Sequence, residues 1–290
     1  MGARALVLGG GGPVGIAWES GLIAGLAEAG IDLSAADFII GTSAGSFVGA
    51  YIAAGTPPTM LAAPFLGEAG MPKSASELLS SPPDLTVLMA KMMESFAGVR
   101  PNDEVCREIG QWALASAAMS EDAYLGTFGK SLAPLLSGGW PGKNYTCPAV
   151  DTATGVPVEW NKDSGVDLLH AIASSCAVPG IYPPVTIQGR RYMDGGMRSP
   201  TNADLVKGCE KVVVIAVARA DAPPVFSRPL ERELNALRES GSQVELIRPN
   251  AECLEAFGAN LMDASRRPAA AAAGLKQGRA GIEALRAFWK

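Results

Sequence analysis

The stretch Phe38-Ile39-Ile40-Gly41-Thr42-Ser43-Ala44-Gly45 contains a change of period. Its first half is an apolar run with two isoleucines, the texture of a buried strand. From Ser43 onward Phe47, Val48, Tyr51 and Ile52 recur on one helical face, and Gly55 and Pro57 supply the stop. A serine between two glycines at a strand-to-helix turn is the pattern of a nucleophile elbow. Such a turn leaves no room for a β-carbon at Gly41 or Gly45, while Thr42 and Ala44 flank the serine directly. The following helix aims its free N–H groups and positive end at negative charge forming near Ser43. The plainer alternative is a tight turn in which Ser43 merely caps the helix.

Upstream, Ala5 to Leu8 reads as the first buried strand, followed by Gly9-Gly10-Gly11-Gly12-Pro13-Val14-Gly15. A helix is expected from about Ile16 to Ala29, closed by Gly30. Gly10-x-Gly12-x-x-Gly15 has the spacing of a dinucleotide-binding turn. That reading needs an acidic residue at the end of the second strand to hold a ribose. Here that strand ends in the elbow, and Asp37 stands at its beginning. The other reading is an oxyanion hole, in which the bare amides of Gly10, Gly11 and Gly12 face a developing negative oxygen.

Downstream, prolines and methionines (Met60, Met71, Met89, Met92, Met93) mark a change of texture from Thr56 to about Ser137. We read residues 57–137 as a helical insertion, with amphipathic segments at Val87–Met92 and Val105–Leu114. Its methionines suit either core packing or an adaptable lid. Two hairpins are expected next: Tyr145–Val150 with Val156–Trp160, and Val185–Ile187 with Arg191–Met193 about Gly189-Arg190. Between them Leu168 to Cys176 reads as a short helix that stops before Pro179-Gly180. Lys211 to Ala218 is an unbroken apolar run suited to the middle of a sheet. From Ala222 the tail, residues 222–290, reads as mainly helical, with helices at Leu230–Leu237 and Ala269–Lys290. Its Arg and Lys residues suit a solvated face, or contact with anionic lipid head groups as the sharper alternative.

With 290 residues, 48% hydrophobic, the chain can bury the core of one large domain spanning 1–290. A net charge of -5 argues against a nucleic-acid partner held by a basic surface. The five cysteines form no zinc or redox spacing and read as buried thiols of a reducing compartment. The opening residues are too short an apolar run for a signal peptide, and no run reaches bilayer length. A cytoplasmic protein, touching membranes only from the side, is the expectation; oligomeric state is left open by the sequence.

A serine hydroxyl attacks only when a placed base takes its proton. The single histidine, His170, falls on a helix in Asp167-Leu168-Leu169-His170. A Ser-His-Asp esterase would need it as base, in a chain order unlike the usual Ser…Asp…His. Asp194 ends a strand, where α/β sheets present their functional groups, and Gly195-Gly196 lets the chain turn tightly beside it. An aspartate of ordinary pKa, near 4, is a weak base for an alcohol. A Ser43–Asp194 pair would depend on a partly dry pocket and on oxyanion donors.

Taken in order, Gly9 to Gly15, Gly41-Thr42-Ser43-Ala44-Gly45 and Asp194-Gly195-Gly196 resemble the patatin-like phospholipase family. Asp151-Thr152-Ala153-Thr154-Gly155 and Ser174-Ser175-Cys176-Ala177-Val178-Pro179-Gly180 are similar to that family's pattern as well. The resemblance covers roughly Ala5 to Ala218. It implies an α/β fold, a three-layer α/β/α sandwich with a mainly parallel central sheet. It also implies a Ser43–Asp194 dyad, an oxyanion hole from the glycine loop, and hydrolysis of acyl esters in lipids without metal or cofactor. The family commonly places Arg or Lys just before the last glycine of the loop; this chain has Val14, which removes a positive charge beside the site. A lipid-binding relative without turnover is the non-enzymatic alternative.

Overall fold

The computed structural model describes residues 2–67, 85–116, 118–218, 223–281 and 283–289. Met71, Pro72, Pro82 and Pro83 of the helical insertion, and Ala222 and Lys290 of the tail, lie outside the described residues.

The chain begins with β1 (Arg4–Leu8), α1 (Gly12–Glu28), β2 (Phe38–Gly41) and α2 (Ala44–Ala53). α1 starts four residues before the expected Ile16 because Pro13, in its first turn, suits a helix start, where its missing N–H costs nothing. Four helices follow: α3 (Ala63–Leu66), α4 (Thr86–Ala97), α5 (Asn102–Ala115) and α6 (Glu121–Leu136). Next come β3 (Asn144–Asp151), β4 (Pro157–Trp160), α7 (Leu168–Ser175), β5 (Val185–Ile187) and β6 (Arg190–Asp194). The chain closes with β7 (Lys211–Ile215), α8 (Pro224–Glu239), β8 (Gln243–Ile247), α9 (Ala251–Phe257), α10 (Arg267–Arg279) and α11 (Glu283–Trp289).

The strands form one mixed sheet in the order β5-β6-β3-β2-β1-β7-β8, with β4 also paired to β3. From β3 to β8 neighbours run parallel; β4, β5 and β6 add antiparallel pairings at the other end. β1 and β7 are interior strands, each paired on both sides, and Val212, Val213, Val214 and Ile215 are wholly buried, as helices on both faces of a parallel sheet require. One face packs α1, α2, α7 and α10 in a core with Trp18, Leu22 and Phe257; the other buries Val212 and Val214 against Leu230, Leu234 and Leu237 of α8.

Three expectations are corrected. The β5–β6 turn is Gln188-Gly189, both at positive φ, so Arg190 belongs to the strand. The tail contributes a strand, β8, which pairs with β7 through all five residues. Its last helical stretch is two helices, broken at Gly281 with φ +66. The tail's cations stay on an exposed face and engage partners along it: Arg279 pairs with Glu28, Lys276 with Glu252, and Arg286 donates to the Ala29 carbonyl.

α10 lies against α1 at backbone range. A β-carbon on Gly21 or Gly25 of α1 would overlap α10 backbone, and one on Gly274 or Gly278 would overlap α1 backbone. Four-residue spacing puts both glycines of each helix on one face, so the two helices interlock without side chains between them. This holds in place the helix that begins at the glycine loop.

Candidate active site

β2 ends at Gly41 and α2 begins at Ala44, leaving Thr42 and Ser43 to make the turn. Ser43 has φ +53 and ψ −116, a backbone conformation unfavourable for any residue with a side chain. Both flanking glycines are sterically required. A β-carbon on Gly41 would overlap the Gly45 carbonyl, and one on Gly45 would overlap the Leu8 carbonyl. Ser43 occupies the N-cap position of α2, yet its side chain makes no capping hydrogen bond. The capping reading therefore fails, and the hydroxyl is left for another partner.

That partner faces it from β6. Asp194 is the last residue of the strand, its N–H donates to the Ala177 carbonyl at 3.0 Å, and the side chain is 2% exposed. Oδ1 accepts the Gly196 N–H at 2.7 Å. Oδ2 is buried without a hydrogen bond of normal geometry. The Ser43 hydroxyl nevertheless lies close enough to favour the charged carboxylate. The two groups are close but poorly aligned for a hydrogen bond. Burial pushes the Asp194 pKa up to about 7, against the opposing pull of Ser43 and the Gly196 amide. Gly195 is a glycine because a β-carbon there would overlap the Pro148 carbonyl.

The glycine loop passes over Ser43. A β-carbon on Gly10 would lie 3.4 Å from Ser43 Cβ. The Gly10 N–H, however, donates to the Pro200 carbonyl at 2.8 Å, so that amide is already engaged. Gly11 and Gly12 open α1, and no acceptor among the described residues takes their N–H groups. Val14 is buried, and its N–H donates to the Leu261 carbonyl.

Two supports were given no role by the sequence, although the first lies in the family-like Ser174–Gly180 block. The segment Ser175-Cys176-Ala177 grips both partners: Ser175 Oγ accepts the Ser43 N–H at 3.2 Å, Cys176 Sγ donates to the Ser43 carbonyl at 3.1 Å, and Ala177 holds Asp194. Asn202, at φ +50, donates from Nδ2 to Thr42 Oγ1 at 3.1 Å, to the Gly195 carbonyl at 3.3 Å and to the Ser199 carbonyl at 2.8 Å. It ties the elbow to the Asp194 turn. An asparagine in Ser199-Pro200-Thr201-Asn202 was the available signal, since Asn tolerates left-handed backbone.

Ser43 also lines a cavity of about 370 Å³ with mainly apolar walls from α1, α2, α6 and the segment that includes α3. His170 is not among its lining residues; it pairs with Asp167 at 2.7 Å at the start of α7. Among the described residues no three His, Cys, Asp or Glu side chains gather to hold a metal. No described helix is long and apolar enough to cross a membrane. All five cysteines are buried and unbridged.

Residues 137–207 match the model of the patatin-like phospholipase family. The chain resembles the patatin-like phospholipases. The matched span holds Asp151–Gly155, Ser174–Gly180 and Asp194–Gly196; the glycine loop and the elbow lie outside it. VipD from Legionella pneumophila is a solved structure with TM-score 0.47 and 14% identity, the overlap covering 99% of this chain and 67% of VipD. The type III effector protein ExoU overlaps with TM-score 0.40 and 17% identity, over 99% of this chain and 53% of ExoU. The chain thus spans about half of ExoU's length. No curated protein matches the chain.

Proposed function

We propose that this chain is a serine hydrolase cleaving carboxylic ester bonds of lipids, with Ser43 as nucleophile and Asp194 as base. The observation that carries the reading is the buried Asp194 carboxyl, one oxygen unclaimed, facing a serine hydroxyl that does no structural work. A pKa near 7 suits a general base at neutral pH far better than an ordinary carboxylate. Ser43 Oγ attacks the ester carbonyl while its proton passes to Asp194 Oδ2. The negative oxygen of the tetrahedral intermediate is taken by the Gly11 and Gly12 amides, aided by the positive end of α2. The alcohol leaves with the proton and the acyl group stays on Ser43. A water, deprotonated by Asp194, then attacks the acyl-enzyme and releases the carboxylic acid.

The apolar cavity beside Ser43 supports an acyl chain as the group bound there. Within this reading the described parts of the 57–137 insertion help to cover the acyl chain, Met60, Leu61, Phe65 and Phe128 supplying part of the wall. Its place of work is the cytoplasmic side of a membrane or a lipid aggregate, met peripherally. The test is a fluorophosphonate probe with peptide mapping. An adduct on Ser43, lost in Ser43→Ala and in Asp194→Asn, is expected; no adduct in folded protein refutes the assignment. Ester hydrolysis that survives Asp194→Asn but not His170→Ala would shift the base to His170.

A further inference from the structure

Glu233 is a buried carboxyl that the proposed reaction does not use. It belongs to α8, which packs on the sheet face opposite α1 and α2, and it does not line the cavity. Its Oε2 accepts the Thr201 hydroxyl at 2.6 Å and the Ala203 N–H at 3.0 Å. A carboxyl withdrawn from water is costly unless donors meet it, and here both donors come from one short stretch of chain. Residues 199–202 belong to no strand or helix, so no backbone ladder fixes them.

The stretch that Glu233 grips touches all three motifs of the site. The Pro200 carbonyl accepts the Gly10 N–H of the glycine loop, and the Thr201 carbonyl accepts the Thr42 hydroxyl of the elbow at 3.2 Å. Asn202 Nδ2 reaches both Thr42 and the carbonyl of Gly195, next to Asp194. Asn202 is itself oriented by Arg198, whose Nη1 donates to Asn202 Oδ1 at 2.8 Å. These links matter because β2 and β6, which carry Ser43 and Asp194 at their ends, are separated in the sheet by β3. No direct ladder sets one against the other.

Resting on the proposed esterase reading, we infer that Glu233 is a positioning residue for the reaction. From behind the sheet it fixes Ser199–Ala203, and through that stretch it holds the glycine loop, the elbow and the Asp194 turn in register. It touches neither the substrate nor the reacting atoms. A fully partnered buried network of this kind is rigid. Letting it slip by about an ångström should cost turnover by up to roughly 10²-fold. Binding should be spared, because neither Glu233 nor Ser199–Ala203 contributes to the cavity wall.

The test measures kcat and KM for p-nitrophenyl laurate, together with melting temperature, in four variants, each assayed below its melting point. Glu233→Leu should lower kcat at least about tenfold and leave KM within about twofold. Glu233→Gln should recover most of kcat, since the amide oxygen can still accept both donors. Thr201→Val removes one donor at nearly constant shape; it should lower kcat by roughly severalfold at unchanged KM, and it decides the matter if Glu233→Leu does not fold. Leu237→Val loosens the packing of the same helix without touching the stretch, so it should melt lower yet keep kcat within about twofold. The inference is overturned if Glu233→Leu and Thr201→Val keep wild-type kcat, or if their loss lies in KM. It is equally overturned if Glu233→Gln is no better than Glu233→Leu, or if Leu237→Val loses as much kcat as either. Any of these results in an enzyme whose turnover depends on Ser43 leaves the esterase reading standing. Wild type without Ser43-dependent turnover ends that reading, and this inference with it.

Discussion

At Asp194 opposing effects meet in one carboxyl. Burial favours the neutral form, while Ser43 and the Gly196 amide favour the charge, and the balance leaves the pKa near 7. As the proposed base must be ionised to act, kcat/KM for p-nitrophenyl laurate should rise with pH through about 7 and level off above it. In Asp194→Asn the profile should flatten, with a loss of roughly 10²- to 10⁴-fold. A rate independent of pH between 5 and 9 in wild type would contradict this. Ser43 carries the second residue-scale effect. Its φ of +53 is a cost that glycine does not bear. Ser43→Gly should therefore melt higher than Ser43→Ala, which keeps the strained β-carbon, by about 1–3 kcal/mol less any entropy lost with glycine. Differential scanning fluorimetry on the two variants reads this directly.

Among the elements, the interlock of α1 and α10 is the most exposed to substitution. Gly274→Val would force the helices apart, since even a β-carbon there meets the Trp18 carbonyl. We expect a loss of several kcal/mol, as for overpacked cores, seen as a lower denaturation midpoint. Ester hydrolysis should fall with it, because α1 begins at the glycine loop. The spacing was present in Gly21-x-x-x-Gly25 and Gly274-x-x-x-Gly278, but its meaning depends on which two helices meet, which no single segment states. Elbow, hairpins and the interior strand β7 were legible because their signals are local: turn residues, alternation, unbroken apolar runs. β8 was missed for a local reason too. Gln243-Val244-Glu245-Leu246-Ile247 lies at the sheet edge, most of it only half-buried, so it lacks the run that marked β7. In the site, Ser43, Asp194 and the glycines could be picked out from contiguous motifs. That Gly10 spends its amide on Pro200, or that Asn202 bridges Thr42 and Gly195, depends on loops brought together from across the chain.

For the whole molecule, three buried carboxyls with raised pKa values among the described residues make stability fall as pH rises above the ordinary carboxylate range. Glu19 is fully buried with neither oxygen in a normal hydrogen bond, and desolvation raises its pKa well above the usual range. Glu233, held by Thr201 and the Ala203 amide, is raised as well, mainly by burial, and Asp194 joins them. A raised carboxyl pKa means the folded chain holds a proton that the unfolded chain releases. That contribution is complete below the ordinary carboxylate pKa near 4 and is lost as pH climbs through the raised values. The melting temperature should accordingly fall from about pH 5 to pH 8. Glu19→Gln should lessen the fall, since a neutral amide has no charge to bury. Thermal scans at five pH values would check it, and a midpoint that rises steadily over that range would contradict it.

The seam of bare glycines between the first helix and the tenth also sets an order of assembly. Ser43 and the loop above it are translated on the order of two hundred residues before α10, the surface that seats their supporting helix. At roughly 5–20 residues per second the interval is on the order of tens of seconds, during which the nascent half carries an uncovered flank. The candidate nucleophile is thus made well before the surface that completes its support.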